Sequence, residues 1–440
     1  MTDIEFLGLV DNAYINVPYA GDRKSNYIDL PNRIYDPVEG QRVMDDALDV
    51  VVSLEKYGFD GGGISEQHNG PIGLWGNPFV PATWIASRTE RMKILVNGPI
   101  MNNYQTPIRL AEEIAAVDTL SRGRLIVGLP MGHGMQHHST GMNPATARAR
   151  HAEAHDLLVS ALNNDGPFEW NGDFFHVPYV NLWPRPTGPI SFMLPGGGSI
   201  ETQQLAARRR YAYQCVLSPL EVMAKNMQRF RDFCREEGYE PAPEQSAAVI
   251  TLHVAETDAI AKREVQDIEE WGYQNFFLSP THDNFPPGYV SLASMRGMKG
   301  GYRSKPMNEM TYPELLENRW IVAGSPQTVA DGLNEVIEKL GLGRVIIPLT
   351  TGLKPKWMVD KVLTLFSEEV LPQFRPAGKP LVSAEDRVGF DTRLEYSVKR
   401  RKGHPVPAIV RNGNLLDVNK ARLDGVDAVL GPWPGTTQEY

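Results

Sequence analysis

The sequence predicts a (β/α)₈ barrel of the TIM-barrel class, with insertions and a C-terminal extension. Short apolar runs of strand length alternate with longer amphipathic segments along most of the 440 residues. Alternation of this kind is typical of a parallel sheet, and about eight such units favour a closed barrel over an open one. A doubly wound sheet would need a Gly-x-Gly-x-x-Gly turn after the first strand, where the chain instead has Leu9–Asn12.

The strands are predicted from their length and their apolar, β-branched composition. They are Glu5–Val10, Phe59–Ile64, Lys93–Asn97, Leu125–Leu129, Pro189–Leu194, Tyr213–Leu217, Ala247–Val254 and Arg344–Leu349. Helical spacing of apolar residues predicts helices around Val43–Leu54, Ala145–Asn163 and Lys356–Val370. Thr106–Thr119 opens with Thr and then Pro, a cap followed by the favoured first residue of a helix.

Three segments do not fit the strand–helix repeat. Phe168–Val180, rich in aromatic residues around an Asn-Gly pair, is typical of a β-hairpin. Ser279–Lys305 is rich in Pro, Gly and Met and lies before the last unit, which predicts a lid or a flexible insertion. Residues 376–440 are polar and broken by Pro and Gly. We therefore expect a barrel over residues 1–375 and an extended arm or tail over residues 376–440.

Composition excludes several classes of protein. Hydrophobic residues make up 42% and charged residues 22% of the chain, as in ordinary globular proteins. The net charge of −9 argues against nucleic-acid and anionic-membrane partners, since both require a basic face. Cys215 and Cys234 are too few for a disulfide framework and form no CxxC motif. With no signal peptide and no long apolar span in view, we expect a cytoplasmic protein.

Candidate functional residues follow the strands, because barrel enzymes place their sites at the strand ends. Gln67 and His68 come after the second strand. A histidine there can act as a base, donate to a cofactor ring, or tie down its own loop. Asn97, Gly98 and Pro99 come after the third strand, where proline restricts the backbone and can adopt a cis peptide.

The fourth strand leads into a glycine-rich run that contains Met131 and His133, and then into His137 and His138. Glycines at this place permit the close approach of a flat ligand, and the alternative is a flexible loop.

A second glycine-rich turn follows the fifth strand and gives the most specific indication of a ligand site in the sequence. Gly197 and Gly198 precede Ser199, which opens a helix, and Thr202 follows one turn later. Free N–H groups and the positive end of the helix dipole favour an anion there, and both hydroxyls add donors. The turn predicts a phosphate site, with a plain capping turn as the alternative. One phosphate suits FMN better than a dinucleotide.

Metal chemistry is disfavoured. His151 and His155 have the i, i+4 spacing that can chelate zinc, but the Glu of an HExxH motif is missing. We expect them on a solvated or interface helix face. No Gly-x-Ser-x-Gly elbow or similar nucleophile motif is evident. A metal-dependent barrel hydrolase is therefore the least favoured alternative.

The motifs together resemble the bacterial luciferase-like family of flavin-dependent oxidoreductases, over roughly Ile4 to Phe374. Each is weak alone, but their order and spacing are specific. They are Tyr57–Asp60, Ser65–His68, Gly73–Pro78, Asp118–Leu125, the segment Phe168–Val180 with Pro184–Pro186, and Val322–Pro326.

This resemblance implies a (β/α)₈ barrel, usually a homodimer, that binds FMN or the deazaflavin F420 at the carboxyl face. It places Ser199 and Thr202 on the phosphate, and Gly98-Pro99 where relatives often have a cis peptide against the flavin. It places Ser279–Lys305 on the mobile active-site loop. Met131 stands where luciferase has a phosphate-binding Arg, so another Arg or Lys, or the helix N-terminus, must hold the anion.

One departure concerns catalysis. Gln67 stands at the position of luciferase's catalytic histidine, and His68 matches the histidine that follows it. The candidate catalytic residues are therefore Gln67, His68, His133 and His137, with His138 beside them.

The expected function is that of a two-component monooxygenase. It would take FMNH₂ from a separate flavin reductase, use O₂, and oxidise a mid-sized, mostly apolar organic substrate. The alternatives are an F420-dependent hydride-transfer enzyme and a non-catalytic flavin-binding homologue.

Overall fold

A computed structural model describes residues 4–18, 24–27, 29–138, 140–216, 218–276, 278–286, 288–289, 291, 309–375, 408–411 and 414–417. Most of the predicted lid and most of the predicted C-terminal arm lie outside these residues. Two short strands of the arm, β13 (Ala408–Arg411) and β14 (Asn414–Asp417), pair with each other in antiparallel fashion.

Strands and helices alternate along the barrel. The strands are β1 (Glu5–Leu9), β2 (Gly61–Ile64), β3 (Lys93–Asn97), β4 (Leu125–Gly128), β5 (Phe168–Asn171), β6 (His176–Val180), β7 (Ser191–Gly196), β8 (Ala212–Cys215), β9 (Ser246–Val249), β10 (Thr251–Val254), β11 (Ile321–Gly324), β12 (Arg344–Pro348), β13 (Ala408–Arg411) and β14 (Asn414–Asp417). The helices are α1 (Pro37–Ser53), α2 (Phe79–Arg88), α3 (Pro107–Leu120), α4 (Gly134–His138), α5 (Ala147–Asn163), α6 (Ile200–Arg209), α7 (Leu220–Glu236), α8 (Asp258–Phe276), α9 (Thr281–Asn284), α10 (Tyr312–Glu317), α11 (Pro326–Leu340) and α12 (Lys356–Leu365).

The predicted closed barrel is confirmed. The eight strands β1, β2, β3, β4, β7, β8, β9 and β12 form a closed parallel sheet in this order, and β12 pairs back onto β1. Its interior is filled by one apolar cluster that includes Leu7, Leu95 and Ile346. A larger apolar core packs the strands against the surrounding helices. The predicted hairpin is confirmed as the antiparallel pair β5 and β6.

The seventh predicted strand, Ala247–Val254, is wrong in one respect, because it is two strands rather than one. β9 belongs to the barrel, whereas β10 turns outward and pairs with β11 in a separate parallel sheet. The backbone N–H of Ile250, between them, still donates to the carbonyl of Ile346 in the barrel. A continuous apolar run conceals this break, since both halves are buried.

The predicted helix starts have the expected caps. Thr106 accepts from the N–H of Ile108 at the start of α3, and Ser325 accepts from the N–H of Thr328 at the start of α11. Pro occupies the first residue of both helices, as its missing N–H allows. Among the described helices, none combines the length and the apolar character needed to cross a membrane.

Candidate active site

A cavity of about 370 Å³ lies at the carboxyl ends of the barrel strands. All eight barrel strands, or the residues that directly follow them, contribute to its wall. The contributors include Leu9, Asp11, Ser65, Asn97, Pro130, Pro195, Gln214, Val249 and Pro348. Four predicted site residues also line it, namely Gln67, Asn97, Gly98 and His133. The position agrees with the rule that barrel enzymes react at this face.

One wall of the cavity is a chain of hydrogen bonds that joins β1, β2 and α4. Ser65 Oγ donates to Asp11 Oδ1 at 2.7 Å, and the Ser65 N–H donates to the same oxygen at 3.3 Å. Gln67 Nε2 donates to Ser65 Oγ at 3.3 Å, and Gln136 Nε2 donates to Gln67 Oε1 at 3.4 Å. Gln136 Oε1 accepts from the His133 N–H at 3.1 Å. Gln67 is thereby held in a fixed orientation.

The three candidate histidines have different positions. The His133 ring lines the cavity and lies edge-on to Tyr27, with 5.2 Å between ring centroids. Burial, with a smaller effect of His137, lowers the pKa of His133 to about 4, so the ring is neutral at pH 7. His137 is buried away from the cavity, with Nε2 2.9 Å from the Met131 carbonyl oxygen. His68 also lies outside the cavity wall.

His68 belongs to a structural network. Its Nε2 lies 2.6 Å from Glu66 Oε1, and Glu66 also accepts from the Ile100 N–H and from Asn103 Nδ2, both at 3.1 Å. Of the alternatives considered for His68, the structure favours the one in which the ring ties down its own loop.

Several polar atoms in the cavity wall have no hydrogen-bond partner among the described residues. Both amide atoms of Gln214 are fully buried and unpartnered. The same holds for Asn97 Oδ1 and His133 Nδ1. A buried polar atom without a partner costs about 1–3 kcal/mol, so native proteins rarely retain one without a reason. A ligand with both donors and acceptors would supply the missing partners.

At the second glycine-rich turn, a side chain of the protein occupies the predicted anion position. Ser199 precedes α6 but does not cap it, because Ser199 Oγ donates to Glu201 Oε2 at 2.7 Å. Burial acts to raise the pKa of Glu201. Hydrogen bonds from Ser199 and from its own N–H, together with the charge of Arg148, outweigh burial and lower this pKa to about 2. The turn therefore stabilises negative charge, and Arg148 is the cation beside it.

The remaining predicted cofactor residues do not line the cavity. They are Pro99, Met131, Gly197, Gly198, Ser199 and Thr202. Gly198 has φ +113° and turns its carbonyl to Arg229 Nη2 at 2.8 Å. Gly98-Pro99 is trans, contrary to the geometry that the resemblance implied, and the cis peptide of the described chain is Trp183-Pro184.

The far end of the cavity contains residues that the sequence analysis missed. Lys354 Nζ and Glu269 Oε1 form an ion pair at 2.7 Å, with 6% of each side chain exposed. Tyr273 and Trp320 stack beside it, with 5.8 Å between centroids. Glu269 and Tyr273 lie on α8, which follows the outward strand β10, so no local motif marked them. Trp75, Phe79 and Tyr289, which lie in or next to segments that follow barrel strands, do not line the cavity.

The first residues of the predicted lid lie beside α4, next to the cavity wall. The Tyr289 hydroxyl donates to the Gly132 carbonyl, and its ring lies edge-on to His137 at 5.6 Å between centroids. Ser291 donates to the carboxylate of Glu201. The described start of the insertion thus contacts both glycine-rich turns.

His151 and His155 are not on a solvated or interface face, which corrects that expectation. Both are buried on the inner face of α5, with 8% and 0% of their surface exposed. His155 Nε2 lies 3.1 Å from the Tyr211 hydroxyl, and burial first, then nearby positive charge, lowers the pKa of His151 to about 3. Within the described ranges, no group of three or more His, Cys, Asp or Glu side chains could hold a metal ion.

Comparisons with known proteins agree with this architecture. The family description "Luciferase-like monooxygenase" matches residues 28–344. A 4-hydroxyprotoasukamycin monooxygenase of Streptomyces nodosus subsp. asukaensis is 23% identical over 364 residues, which cover 80% of this chain and 93% of that protein. An F420-dependent glucose-6-phosphate dehydrogenase of Amycolatopsis mediterranei is 22% identical over 344 residues, which cover 76% and 95%.

Among solved structures, the oxygenating constituent of 3,6-diketocamphane monooxygenase from Pseudomonas putida, in complex with FMN, superimposes with a TM-score of 0.66. The match has 19% identity and covers 85% of this chain and 99% of that one. At 19% identity, this structural similarity shows a shared fold. The match to the family description over residues 28–344 shows membership of the family. The chain belongs to the luciferase-like monooxygenase family.

Proposed function

We propose that this protein is the oxygenase component of a two-component system, which takes FMNH₂ from a separate reductase and uses O₂ to oxidise a mid-sized, mostly apolar organic molecule. The observation that carries the proposal is the set of unpartnered polar atoms of Gln214, Asn97 and His133 in the cavity. A flavin ring system is flat and apolar, and its edge carries both donors and acceptors. FMN as the cofactor, the reductase, O₂ and a homodimer are all parts of this proposal.

The residues present fit a phosphorylated flavin. Pro195 lines the cavity, and the turn that leads to α6 follows it directly. The Ser199 hydroxyl and the Glu201 N–H, which donate to the Glu201 carboxylate in this structure, would donate to a phosphate once that side chain moves aside, and Arg148 adds its charge nearby. Arg148 thus supplies the cation that Met131 cannot. The ring would lie against Asn97, Gly98 and His133, where the glycine permits close approach.

The cavity wall performs the remaining tasks. Bound FMNH₂ supplies the electrons that activate O₂. His133 is neutral at pH 7 and therefore offers one ring nitrogen as a donor and the other as an acceptor. Apolar side chains around the cavity exclude water, which protects reactive species from side reactions.

An anaerobic titration with FMNH₂, followed by admission of O₂, tests the proposal. We expect saturable FMNH₂ binding and a protein-dependent phase in the absorbance between reduced and oxidised FMN. The F420-dependent alternative, to which the dehydrogenase relative points, predicts tight binding of F420 and no reaction with O₂. That result would refute the FMN proposal. Binding of FMN without any change in its reaction with O₂ would instead identify a non-catalytic flavin-binding protein.

Glu201→Gln is expected to tighten FMN binding about tenfold. The Glu201 carboxylate occupies the turn proposed for the phosphate. Repulsion between two negative charges this close together weakens the binding of the phosphate by ~1 kcal/mol or more. Fluorescence titration of FMN measures the effect. Riboflavin has no phosphate, so its affinity should stay unchanged. Glu221→Gln, in the first turn of α7, serves as a matched control and should leave FMN binding unchanged. Equal tightening for riboflavin would contradict this placement of the phosphate.

A further inference from the structure

Asp11 is a carboxylate in the cavity wall that has no positively charged partner among the residues that the structure describes. It follows β1 directly, and its backbone carbonyl accepts from the Thr351 N–H at 2.9 Å, which fixes its position. Its side chain is half-buried and faces the cavity. The hydrogen bonds it receives among the described residues come from Ser65 and Thr351, and only those from Ser65 reach the carboxylate.

The neighbouring carboxylates show how unusual this is. Glu66 lies in the same wall but accepts from two N–H donors and contacts His68. Glu269, which also lines the cavity, forms an ion pair with Lys354 at 2.7 Å. Asp11 alone in this group has its charge opposed by nothing stronger than a serine.

A carboxylate in such surroundings binds a proton more tightly than a carboxylate in water does. Burial raises the pKa of Asp11, and the two bonds from Ser65 oppose this only in part. The other titratable or charged groups around the cavity are Tyr27, Glu66, His133, Glu269, Tyr273, Arg319 and Lys354. None of them acts on the Asp11 carboxyl as an opposite charge, so burial decides its state.

Gln67 gives this carboxyl a function. Gln67 stands where the family resemblance places a histidine, and an amide cannot exchange a proton near neutral pH. Gln67 nevertheless donates to Ser65, which donates to Asp11, so the two positions are joined by two hydrogen bonds. His133, the other candidate in the wall, is neutral and a weak base at pH 7.

We propose that Asp11 is the acid–base residue of this cavity, with Ser65 and Gln67 as positioning residues. The inference rests on the proposed function, since the reacting ligand is the one that the cavity binds there. In the donating step the O–H bond of the carboxyl breaks, the proton passes to a basic atom of the ligand, and the electron pair stays on the carboxylate. The reverse step takes a proton from the ligand and restores the acid.

The first test needs no flavin. Infrared titration of the ligand-free protein follows the carbonyl stretch of a protonated carboxylic acid. We expect the wild type to keep such a band to a pH above the ordinary ionisation range of aspartate, and we expect its loss in Asp11→Asn, which keeps the acceptor for Ser65 but cannot ionise. Ser65→Ala should move the titration of this band to higher pH, because it removes the bonds that stabilise the charged form. A spectrum identical in wild type and Asp11→Asn would overturn the proposal.

The second test uses FMNH₂ and O₂ and measures the rate of flavin reoxidation against pH. We expect an ionisation in the wild-type profile that is absent in Asp11→Asn, is restored by Asp11→Glu, and shifts to higher pH in Ser65→Ala. A role limited to structure would lower the rate without changing the profile, and this outcome would overturn the proposal. Failure of the wild type to bind FMNH₂ would instead refute the proposed function, while the infrared result still decides whether Asp11 holds the proton.

Discussion

Lys354→Met is expected to lower the free energy of unfolding by about 3–5 kcal/mol. Lys354 and Glu269 are each only 6% exposed and lie 2.7 Å apart in the cavity wall. Removing the ammonium group leaves the Glu269 carboxylate buried without a counter-charge, and that penalty exceeds the attraction lost. Urea denaturation, followed by circular dichroism, measures the change.

Two further variants separate charge burial from the loss of the side chain. Lys356→Met breaks an ion pair with Asp360 whose side chains are 36% and 39% exposed, so we expect a change below about 0.5 kcal/mol. The double variant Lys354→Met, Glu269→Gln removes both buried charges and should recover much of the lost stability. Equal destabilisation by Lys354→Met and Lys356→Met would show that solvent reaches the Lys354–Glu269 pair.

Gln214→Leu is expected to have two opposite effects. Both of its amide atoms are buried without a partner, so an apolar side chain of similar size should stabilise the ligand-free protein by about 1–3 kcal/mol. The same change should weaken flavin binding about tenfold to thirtyfold, since two hydrogen bonds of roughly 1 kcal/mol each are lost. Thermal unfolding without ligand and fluorescence titration with FMN measure the two effects.

Gln203→Leu is the matched control, because Gln203 is equally buried but fully bonded. Its Nε2 donates to the Tyr213 hydroxyl at 3.1 Å, and its Oε1 accepts from Arg229 Nε at 2.6 Å. The control should lower the stability of the ligand-free protein, opposite in sign to Gln214→Leu. A loss of stability in both variants would mean that Gln214 is paired in the ligand-free protein.

The barrel itself could be predicted because its signals are local. The period of apolar residues sets the element type, and Thr106-Pro107 and Ser325-Pro326 mark helix starts by their own capping chemistry. All the barrel strands except the seventh were placed within two residues of their observed ends. The seventh failed because β9 and β10 are both buried, and apolar character alone does not reveal where a strand leaves the sheet.

The sequence predicted where in the barrel the site lies, but it did not predict in every case which side chains face the cavity. Gln67, Asn97, Gly98 and His133 were predicted from the strand ends, and all four line the cavity, because parallel strands of a barrel bring their carboxyl ends together. Whether His68 faced the cavity or its own loop depended on Glu66, and its short distance to that carboxylate placed it with the loop. Such a choice depends on which partner is nearest in space, and no spacing along the chain encodes it.

The sequence by itself determined the barrel and the family, and it predicted an anion site in the turn before α6. Only the tertiary structure decided which polar groups are left without partners. Asp11 and Glu269 are both acidic side chains in the cavity wall, yet one meets Ser65 and the other meets Lys354. A buried charge depends on its surroundings for its energy, and those surroundings are assembled from distant segments of the chain. Folding thereby places Glu269 in an ion pair with Lys354, whereas Asp11 meets a serine and can exchange a proton with a ligand.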